Sequence, residues 1–311
     1  MAVHHHRGAL TAALAGIAAL AFASPALATF PGRNGPLAFS GNTDDGAQLF
    51  TVGKHGRDLR QITRVAGDAL HPDWSPDGRR IVFELDTEEV AAVAFVDAHG
   101  GAPVVLPPVP GGFEGQPAFM PDGRRILFTR FDGTEEATWS MKLDGSDRRR
   151  ITAGPGDATD PNPAPDGRRF SFVGVRNHVE FDQGLFTARL DGGGVRQLTP
   201  FFDVAIKHDW APDGRQLLFT ENADFVRPGA SANIAVIRPD GAGFRYLTQY
   251  SGGEVNAFAG SYSPEGDRIA FRYEDHGQYA LRTMRRDGSH VRTLLPLSDL
   301  KPRQIDWSQK P

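Results

Sequence analysis

A short pattern recurs five times along the chain and limits the folds that the chain can adopt. Each copy joins Pro-Asp-Gly or Pro-Glu-Gly to a few polar side chains and then to an apolar run. The prolines of the copies lie 45, 44, 47 and 52 residues apart, at Pro76, Pro121, Pro165, Pro212 and Pro264. Because a repeat of about 45 residues is the length of one four-stranded propeller blade, the spacing predicts a β-repeat protein.

Each repeat contains signals for four short strands. An aromatic residue lies in the first strand, Pro-Asp-Gly forms a tight turn, and the apolar run that follows forms the second strand. A loop of variable length leads to a third strand, and an Asp-Gly turn such as Asp144-Gly145 connects it to the fourth. The 36 glycines and 23 prolines among 311 residues fit a chain that turns often, and no segment has a convincing helical period.

The two ends of the repeat region complement each other. Residues 37–40 match a second strand, which leaves the first repeat without its first strand. Residues 305–308 repeat the Asp-Trp-Ser of a first strand and stop before any second strand. We therefore predict an all-β, six-bladed β-propeller of four-stranded blades, in which the C-terminal strand completes blade one and closes the ring.

Residues 1–28 have the three parts of a secretory signal peptide. A basic stretch that ends at Arg7 precedes a short run rich in Ala and Leu, and the segment finishes with Ala26-Leu27-Ala28. The apolar run is too short and too interrupted for a membrane anchor. We predict cleavage after Ala28, a single propeller domain over residues 29–311, and a secreted, periplasmic or cell-envelope location without a membrane anchor.

Composition excludes several kinds of site. The chain has no cysteine, so it cannot form disulfides, a thiol nucleophile, a cysteine-linked lipid anchor or a Cys-ligated metal centre. The formal net charge of −4 gives no support to nucleic-acid binding, which usually requires a basic excess.

The segment Trp74-Ser-Pro-Asp-Gly-Arg79 and its four other copies are similar to the WD40-like (PD40) repeat of the TolB-type β-propeller family. The resemblance covers about residues 35–309 and implies a propeller that acts as an extracytoplasmic binding scaffold. TolB itself carries a separate α/β domain ahead of its propeller. Here the first blade begins within ten residues of the predicted cleavage site, so we expect a propeller that lacks that N-terminal domain.

Strand direction sorts the connections onto two ends of the propeller. The turns after the first and third strands share one end, the turn face, and they are short and similar to one another. The loops after the second and fourth strands share the other end, the loop face, and they vary, as binding loops on a fixed framework do. Acidic residues are concentrated in the loop-face segments and arginines in the turn-face segments. We therefore expect the loop face to attract a partner that is cationic or basic at the contact.

One carboxylate precedes the first strand of each blade. These residues are Asp68, Glu114, Asp157, Asp203, Glu254 and Asp299. They could form a ring at the channel entrance that binds calcium, a cation that prefers six to eight oxygen ligands. The pattern fits better with carboxylates that cap backbone amides of their own turns. Calcium is the one cofactor that the sequence suggests for the ring.

Slightly further along, the start of the first strand carries a polar residue that differs from blade to blade. These residues are His71, Gln116, Asp160, Lys207 and Gln304. First strands line the channel of a propeller, so these side chains are our candidates for ligand contacts at the channel mouth. The alternative is that they are only the solvated ends of loops.

The sequence contains no convincing catalytic motif, since both G-x-S-x-G and H-E-x-x-H are missing. Some propellers similar to this family are lyases that hold a metal with several histidines, and His71, His178 and His208 are the candidates here. The predicted function is a non-enzymatic exported scaffold that binds a protein or small ligand at its acidic loop face and channel mouth. The alternative is a metal-assisted lyase or hydrolase that acts on an extracellular substrate at the channel mouth.

Overall fold

The computed structural model describes residues 31–109, 112–152, 156–176, 182–201, 205–222 and 229–310. The predicted signal peptide lies outside the described residues, and so do Asp203 and His178. The described residues form six antiparallel sheets of four strands each and contain no α-helix. No helix in these ranges could therefore cross a membrane. The predicted six-bladed propeller is confirmed.

The blades follow the chain in order, and in each one the first strand is innermost. Blade 1 contains β24 (Arg303–Gln309), β1 (Asn34–Thr43), β2 (Gly46–Val52) and β3 (Arg60–Gln61). Blade 2 contains β4 (Asp68–Trp74), β5 (Arg80–Asp86), β6 (Ala91–Asp97) and β7 (Val104–Val105). Blade 3 contains β8 (Phe113–Phe119), β9 (Arg125–Phe131), β10 (Glu136–Lys142) and β11 (Arg149–Arg150).

The second half of the ring repeats this order. Blade 4 contains β12 (Asp157–Pro163), β13 (Arg169–Val175), β14 (Gln183–Arg189) and β15 (Arg196–Gln197). Blade 5 contains β16 (Ala205–Trp210), β17 (Leu217–Asn222), β18 (Ala232–Ile237) and β19 (Arg245–Tyr246). Blade 6 contains β20 (Val255–Tyr262), β21 (Arg268–Asp275), β22 (Gln278–Arg285) and β23 (Arg292–Ser298).

The Pro-Asp-Gly turns fix where the strands reverse. In blade 2 the Ser75 hydroxyl donates a hydrogen bond to the Asp77 carboxylate at 2.6 Å, and the Arg79 amide donates to the same carboxylate at 3.1 Å. Gly78 has a φ of +67°, a left-handed conformation that strains a residue with a Cβ atom. Local chemistry therefore determines the hairpin between β4 and β5, and the turn face is built from such hairpins.

The C-terminal strand closes the ring as predicted. β24 pairs antiparallel with β1, and the Trp307 indole donates a hydrogen bond to the Gly35 carbonyl at 3.1 Å. Ile305 and Trp307 are only 1% and 4% exposed, so this strand also contributes to the core.

The hydrophobic core lies mainly between neighbouring blades. In one cluster, Trp74 and Phe83 of blade 2 pack against Ala38 and Leu49 of blade 1. The aromatic residue that recurs near the end of the first strand is buried in five blades: Trp74, Phe119, Trp210, Tyr262 and Trp307. Because each blade buries its face against the next one, the stability of a blade depends on an intact ring.

Candidate functional site: the channel mouth

The innermost strand of every blade is irregular close to the loop face. In β4 the pairing with β5 shifts between Leu70 and Asp73, and similar shifts interrupt the other inner strands. At this bulge the φ angles of His71, Gln116, Asp160 and Gln304 lie between 46° and 51°. Residues other than glycine seldom adopt this conformation, and they do so most often at strained or functional positions. The bulge releases these residues from the regular ladder of the sheet.

A side chain from the preceding blade binds the amide that the bulge releases. The Gln116 amide donates a hydrogen bond to the Glu84 carboxylate at 2.9 Å. The Asp160 amide donates to the Thr129 hydroxyl at 3.0 Å and to the Gln116 side-chain oxygen at 2.8 Å. Glu84 is 4% exposed, and burial raises the pKa of its carboxyl group. Gln116 and Asp160 are thus held in place from across the contact between two blades.

The structure brings together all five of the mouth residues that the sequence singled out. Four of them line one cavity of about 20 Å³: His71, Gln116, Asp160 and Lys207. The fifth, Gln304, places its Nε2 atom 3.3 Å from the Nε2 atom of His71. A space of this size holds about one water molecule or one ion. We refer to these five residues as the mouth ring.

Two buried atoms of the mouth ring lack hydrogen bonds with the described residues. Asp160 Oδ2 and Gln304 Oε1 are buried, and neither has a hydrogen-bond partner among the described residues. Buried polar atoms are usually paired, so each exception needs an explanation, and a bound ligand is one.

A second layer of polar residues lies deeper in the channel, two residues further along the inner strands. Each of three aspartates accepts a hydrogen bond from the backbone amide of the aromatic residue in the next blade. The pairs are Asp73 with Phe119 at 2.7 Å, Asp209 with Tyr262 at 2.7 Å, and Asp306 with Trp74 at 2.8 Å. These three aspartates, which we name the latch layer, therefore join adjacent blades.

Lys207 lies among the carboxylates of both layers. Burial alone would lower the pKa of its ammonium group, but the carboxylates around it, Asp160 and Asp306 foremost, raise that pKa overall. Burial and then repulsion from Asp306 raise the pKa of Asp73 well above its usual range. Burial also raises the pKa of Asp306, although Lys207 opposes that effect.

The described part of the channel is therefore rich in carboxylates. Four of them surround the ammonium group of Lys207, namely Asp73, Asp160, Asp209 and Asp306, and Glu84 lies near Asp160. An excess of carboxylates in a low-dielectric channel attracts a cation.

His208 lies directly beside the mouth ring. Its side chain is fully buried, and its Nδ1 atom is 3.6 Å from Asp160 Oδ2. Neither ring nitrogen makes a hydrogen bond with the described residues. Burial lowers the pKa of the imidazole, although Asp160 and the Ser171 backbone oppose that effect. His208 is therefore neutral at pH 7 and does not neutralise the charge of Asp160.

The six carboxylates proposed as calcium ligands have separate environments. Asp68 accepts a hydrogen bond from the Ala47 amide at 2.6 Å, and Asp157 accepts one from the Glu136 amide at 2.8 Å. Both carboxylates thus cap the third strand of the preceding blade, whereas the sequence suggested caps within their own turns. No group of three or more His, Asp or Glu side chains in the described ranges is arranged to hold a metal ion.

The other members of this set also lie apart. Glu114 is buried and accepts hydrogen bonds from the Arg148 guanidinium at 3.0 and 3.2 Å. Glu254 is exposed and forms an ion pair with His276 at 2.8 Å. Asp299 is exposed, and Asp203 lies outside the described residues. Binding of calcium by this set remains a prediction.

The acidic loops differ in how far their charge is neutralised. Asp44 and Asp45 in blade 1 and Glu88 and Glu89 in blade 2 are exposed and form no ion pair with the described residues. In blade 3, by contrast, Glu135 forms an ion pair with Arg150 at 2.6 Å. We refer to the four unpaired residues of blades 1 and 2 as the acidic rim.

Sequence reasoning missed the latch layer and Glu84. The residue pair Asp-Trp occurs at Asp73, Asp209 and Asp306, and this recurrence was a usable signal for a repeated structural contact. Glu84 lies within β5, where other blades have Ser40 or Thr129. A buried Glu in an apolar strand could have indicated a polar contact of this kind.

A family model described as the TolB beta propeller domain matches residues 109–311. The chain belongs to this family. A Tol-Pal system protein TolB from Anaeromyxobacter dehalogenans is 30% identical over 226 residues, which cover 71% of this chain and 48% of that protein. An uncharacterized protein from Agrobacterium fabrum is 28% identical over 179 residues, which cover 55% of this chain and 60% of that protein. The chain thus spans about half of the length of these TolB relatives.

Solved structures agree with this assignment. The crystal structure of TolB from Acinetobacter baumannii superposes with a TM-score of 0.72 at 21% identity and covers 89% of this chain and 67% of its own. A TolB-like protein from Agrobacterium tumefaciens superposes with a TM-score of 0.66 at 20% identity and covers 88% and 91%. The resemblance to TolB-type propellers is confirmed, and at these identities the superpositions concern the fold alone.

Proposed function

We propose that this TolB-family propeller is a non-enzymatic scaffold that binds a basic segment of a protein partner. The segment lies across the acidic rim, and one of its cationic groups enters the channel mouth. The observation that carries the proposal is that the five mouth-ring residues lie together in a channel rich in carboxylates, where four of them line one small cavity and Gln304 contacts His71. Two relatives support a protein as the partner, because the name of TolB assigns it to the Tol-Pal system.

The geometry favours a cation at the mouth for two reasons. Asp160 Oδ2 has no hydrogen bond with the described residues, His208 beside it is neutral, and Lys207 is a single cation shared among four carboxylates. The cavity has room for one ion or for the end of one long side chain, but not for a larger organic molecule. A lysine ammonium or arginine guanidinium of a partner meets both conditions.

Fluorescence anisotropy with a labelled oligolysine peptide tests this proposal on the full chain. We expect saturable binding that weakens as salt is added, because the contact is electrostatic. Asp160→Asn and the double variant Asp44→Asn/Asp45→Asn should each weaken binding by about tenfold, which is the loss of one charge-assisted contact.

The matched control removes the same charge from the opposite end. Asp240 and Asp287 lie in exposed turns of the turn face, where each one caps a backbone amide. The double variant Asp240→Asn/Asp287→Asn should bind the peptide as the unmodified chain does. Equal weakening by the control and the loop-face variants would show that net charge alone attracts the peptide, and the proposal would then fail.

We also propose that the protein is exported. Support comes from the signal-like sequence of residues 1–28. Expression in a Gram-negative host followed by mass spectrometry of the periplasmic fraction tests this point. We expect a chain that begins at Thr29, and an intact chain confined to the cytoplasm would contradict export.

Calcium binding by the six carboxylates can be tested by thermal melting. If they form a site, the melting temperature rises with calcium, falls with EDTA and loses this response in Asp68→Asn or Asp157→Asn. The hydrogen bonds of Asp68 and Asp157 favour a capping role instead. In that case both variants lower the melting temperature to the same extent with calcium and with EDTA.

The enzymatic alternative rests on two imidazole and carboxylate pairs at the mouth. His71 Nε2 lies 4.0 Å from Glu84 Oε2, and His208 lies beside Asp160. The ring of His208 is fully buried, so it could reach a substrate only after a rearrangement of the mouth. Hydrolysis or elimination of an extracellular polysaccharide that is lost in both His71→Ala and His208→Ala, with folding intact, would favour this alternative.

A further inference from the structure

The turn face carries two cavities at equivalent contacts between blades. One, of about 290 Å³, lies between blades 6 and 1, and the other, of about 380 Å³, lies between blades 3 and 4. In both, the first position of β21 or β9 contributes an arginine, Arg268 or Arg125. We refer to the cavity between blades 6 and 1 as the seam pocket and to the other as the reference pocket.

The two arginines are equally buried but differ in their contacts. Arg125 is 24% exposed, and its guanidinium donates hydrogen bonds to the Asp147 carboxylate at 2.7 Å, the Asp147 carbonyl at 2.8 Å and the Ser140 hydroxyl at 3.0 Å. Arg268 is 25% exposed, and its guanidinium makes no hydrogen bond with the described residues. Its nearest carboxylate oxygen, on Asp267, is 3.9 Å away. The donors of the Arg268 guanidinium are therefore available to an acceptor from outside the chain.

One position explains this difference. Asp147 and His290 occupy equivalent places in the turns that precede β11 and β23, and both have a φ of +54°. In the reference pocket Asp147 binds Arg125 and also accepts a hydrogen bond from Arg149 at 2.7 Å. In blade 6 the equivalent residue is His290, which supplies no carboxylate, so Arg268 and Arg292 have no shared acceptor among the described residues.

The opposite wall of the seam pocket strengthens its positive charge. Blade 1 contributes Lys54 and His55 to the seam pocket, whereas blade 4 contributes Leu190 and Asp191 to the reference pocket. The two walls occupy equivalent positions against the neighbouring blade. Gly56 of blade 1 lies so close to the Leu294 carbonyl that a Cβ atom would contact it, and Gly192 of blade 4 lies in the same way against the Ile151 carbonyl. Thus a carboxylate is replaced by a basic side chain on this wall too.

The two carboxylates of the seam pocket are already engaged. Glu265 accepts hydrogen bonds from the amide and the side chain of Asn34, both at 3.2 Å. Asp267 accepts one from the Ser263 hydroxyl at 3.0 Å. The free hydrogen-bond donors that line the pocket therefore outnumber the free acceptors.

We propose that the seam pocket binds the phosphate group of a small molecule. The guanidinium groups of Arg268 and Arg292 offer the forked donors that suit phosphate oxygens, and Lys54 adds a third positive charge. These three cations exceed the two carboxylates of the lining, Glu265 and Asp267, by one charge, so the pocket favours an anion. The volume lies at the lower end of the range for small-molecule pockets, roughly 300 to 1,000 Å³, and so leaves room for a small organic group beside the phosphate.

Isothermal titration of the full chain with inorganic phosphate and with glycerol 3-phosphate tests this inference. We expect one site per chain. Tighter binding of glycerol 3-phosphate would identify a phosphate ester as the natural class of ligand, and equal affinities would identify free phosphate. Absence of binding for both compounds at millimolar concentration overturns the proposal.

Four variants locate the site. Arg268→Gln should weaken phosphate binding by about tenfold or more, the loss of a charge-assisted hydrogen bond. His290→Asp should weaken it as strongly, because it gives Arg268 and Arg292 the acceptor that Asp147 provides in blade 3. His290→Gln, which adds no charge, and Arg125→Gln, which alters the reference pocket, should leave the affinity unchanged.

Circular dichroism of each variant separates loss of binding from loss of folding. Unchanged phosphate affinity in folded Arg268→Gln and His290→Asp would show that any binding occurs elsewhere, and the proposal would then be wrong. The outcome is independent of the loop face, since oligolysine binding should be the same in all four variants.

Discussion

The latch layer and the mouth ring lie two residues apart on the same inner strands, but their hydrogen bonds differ. Asp73, Asp209 and Asp306 each bind the backbone of the next blade. In the mouth ring, Asp160 Oδ2 and Gln304 Oε1 have no hydrogen-bond partner among the described residues. A residue that recurs in the repeat and hydrogen-bonds to the next blade stabilises the fold. A residue that differs from blade to blade and has side-chain atoms without hydrogen bonds is available to bind a ligand.

The largest effect should come from removal of residues 305–311, because this change deletes most of β24 and one latch aspartate. The ring then loses the buried side chains of Ile305 and Trp307 and the bond between Asp306 and Trp74. The lost contacts exceed the usual stability margin of about 5 to 15 kcal/mol, so we expect no cooperative thermal transition. Circular dichroism measures this, with removal of residues 310–311 alone as the control. A truncated chain that melts like the full chain would contradict ring closure by β24.

Single substitutions in the latch layer and in the mouth ring should have smaller effects on stability, and these effects should differ between the two layers. Asp209→Ala leaves the buried amides of Trp210 and Tyr262 without an acceptor and should lower the free energy of unfolding by about 3 kcal/mol. Asp160→Asn removes a charge whose Oδ2 atom has no hydrogen bond, and Asp73, Asp209 and Asp306 remain around Lys207, so the substitution should cost less than about 1 kcal/mol. Denaturant unfolding of both variants gives the comparison. Equal losses would remove the distinction between latch and mouth.

Sequence and structure agree most closely where the repeat is strict. The five Pro-Asp-Gly copies and the two end segments were sufficient to predict six blades, the strand order and the closing strand, because each local signal is repeated and each turn is determined by its own residues. The mouth ring could also be located, because its members occupy one position in the repeat. Contacts between blades could not be predicted, since Asp68 binds Ala47 and Asp73 binds Phe119 across distances that no local pattern records.

The pH dependence of Asp73 provides a finer test of the latch layer. Its pKa is raised in the folded state, chiefly by burial, so the folded chain holds this proton more tightly than the unfolded chain does. The stabilising contribution of Asp73 is therefore complete below its unfolded pKa and is lost as the pH rises through its folded pKa. Asp73→Asn keeps an acceptor for the Phe119 amide and cannot ionise. The melting temperature of Asp73→Asn relative to the unmodified chain should therefore rise with pH from about pH 4 upward. A difference that is constant with pH would show that Asp73 ionises normally.

The smallest expected effect concerns His208. Burial lowers the pKa of its imidazole, so the unfolded chain binds more protons than the folded chain as the pH falls below about 6.5. The unmodified chain should therefore lose stability between about pH 7 and pH 5 through this group, and His208→Leu should not. At pH 7 we expect the variant to differ by less than about 1 kcal/mol. Parallel thermal melts at both pH values measure this. A larger loss of stability at pH 7 would show that His208 has a stronger structural role than its contacts indicate.

Hydrogen–deuterium exchange of the full chain, with and without oligolysine, is the most direct test of the central claim. The claim is that the mouth ring binds a ligand, whereas the latch layer stabilises the fold. The peptide should slow exchange in the acidic-rim loops, residues 41–47 and 86–91, and in the bulges around Gln116 and Asp160. It should leave the Pro-Asp-Gly turns of the opposite end unchanged. Protection confined to those turns, or no change anywhere while the peptide is bound, would contradict the claim that the channel mouth is the binding site of this propeller.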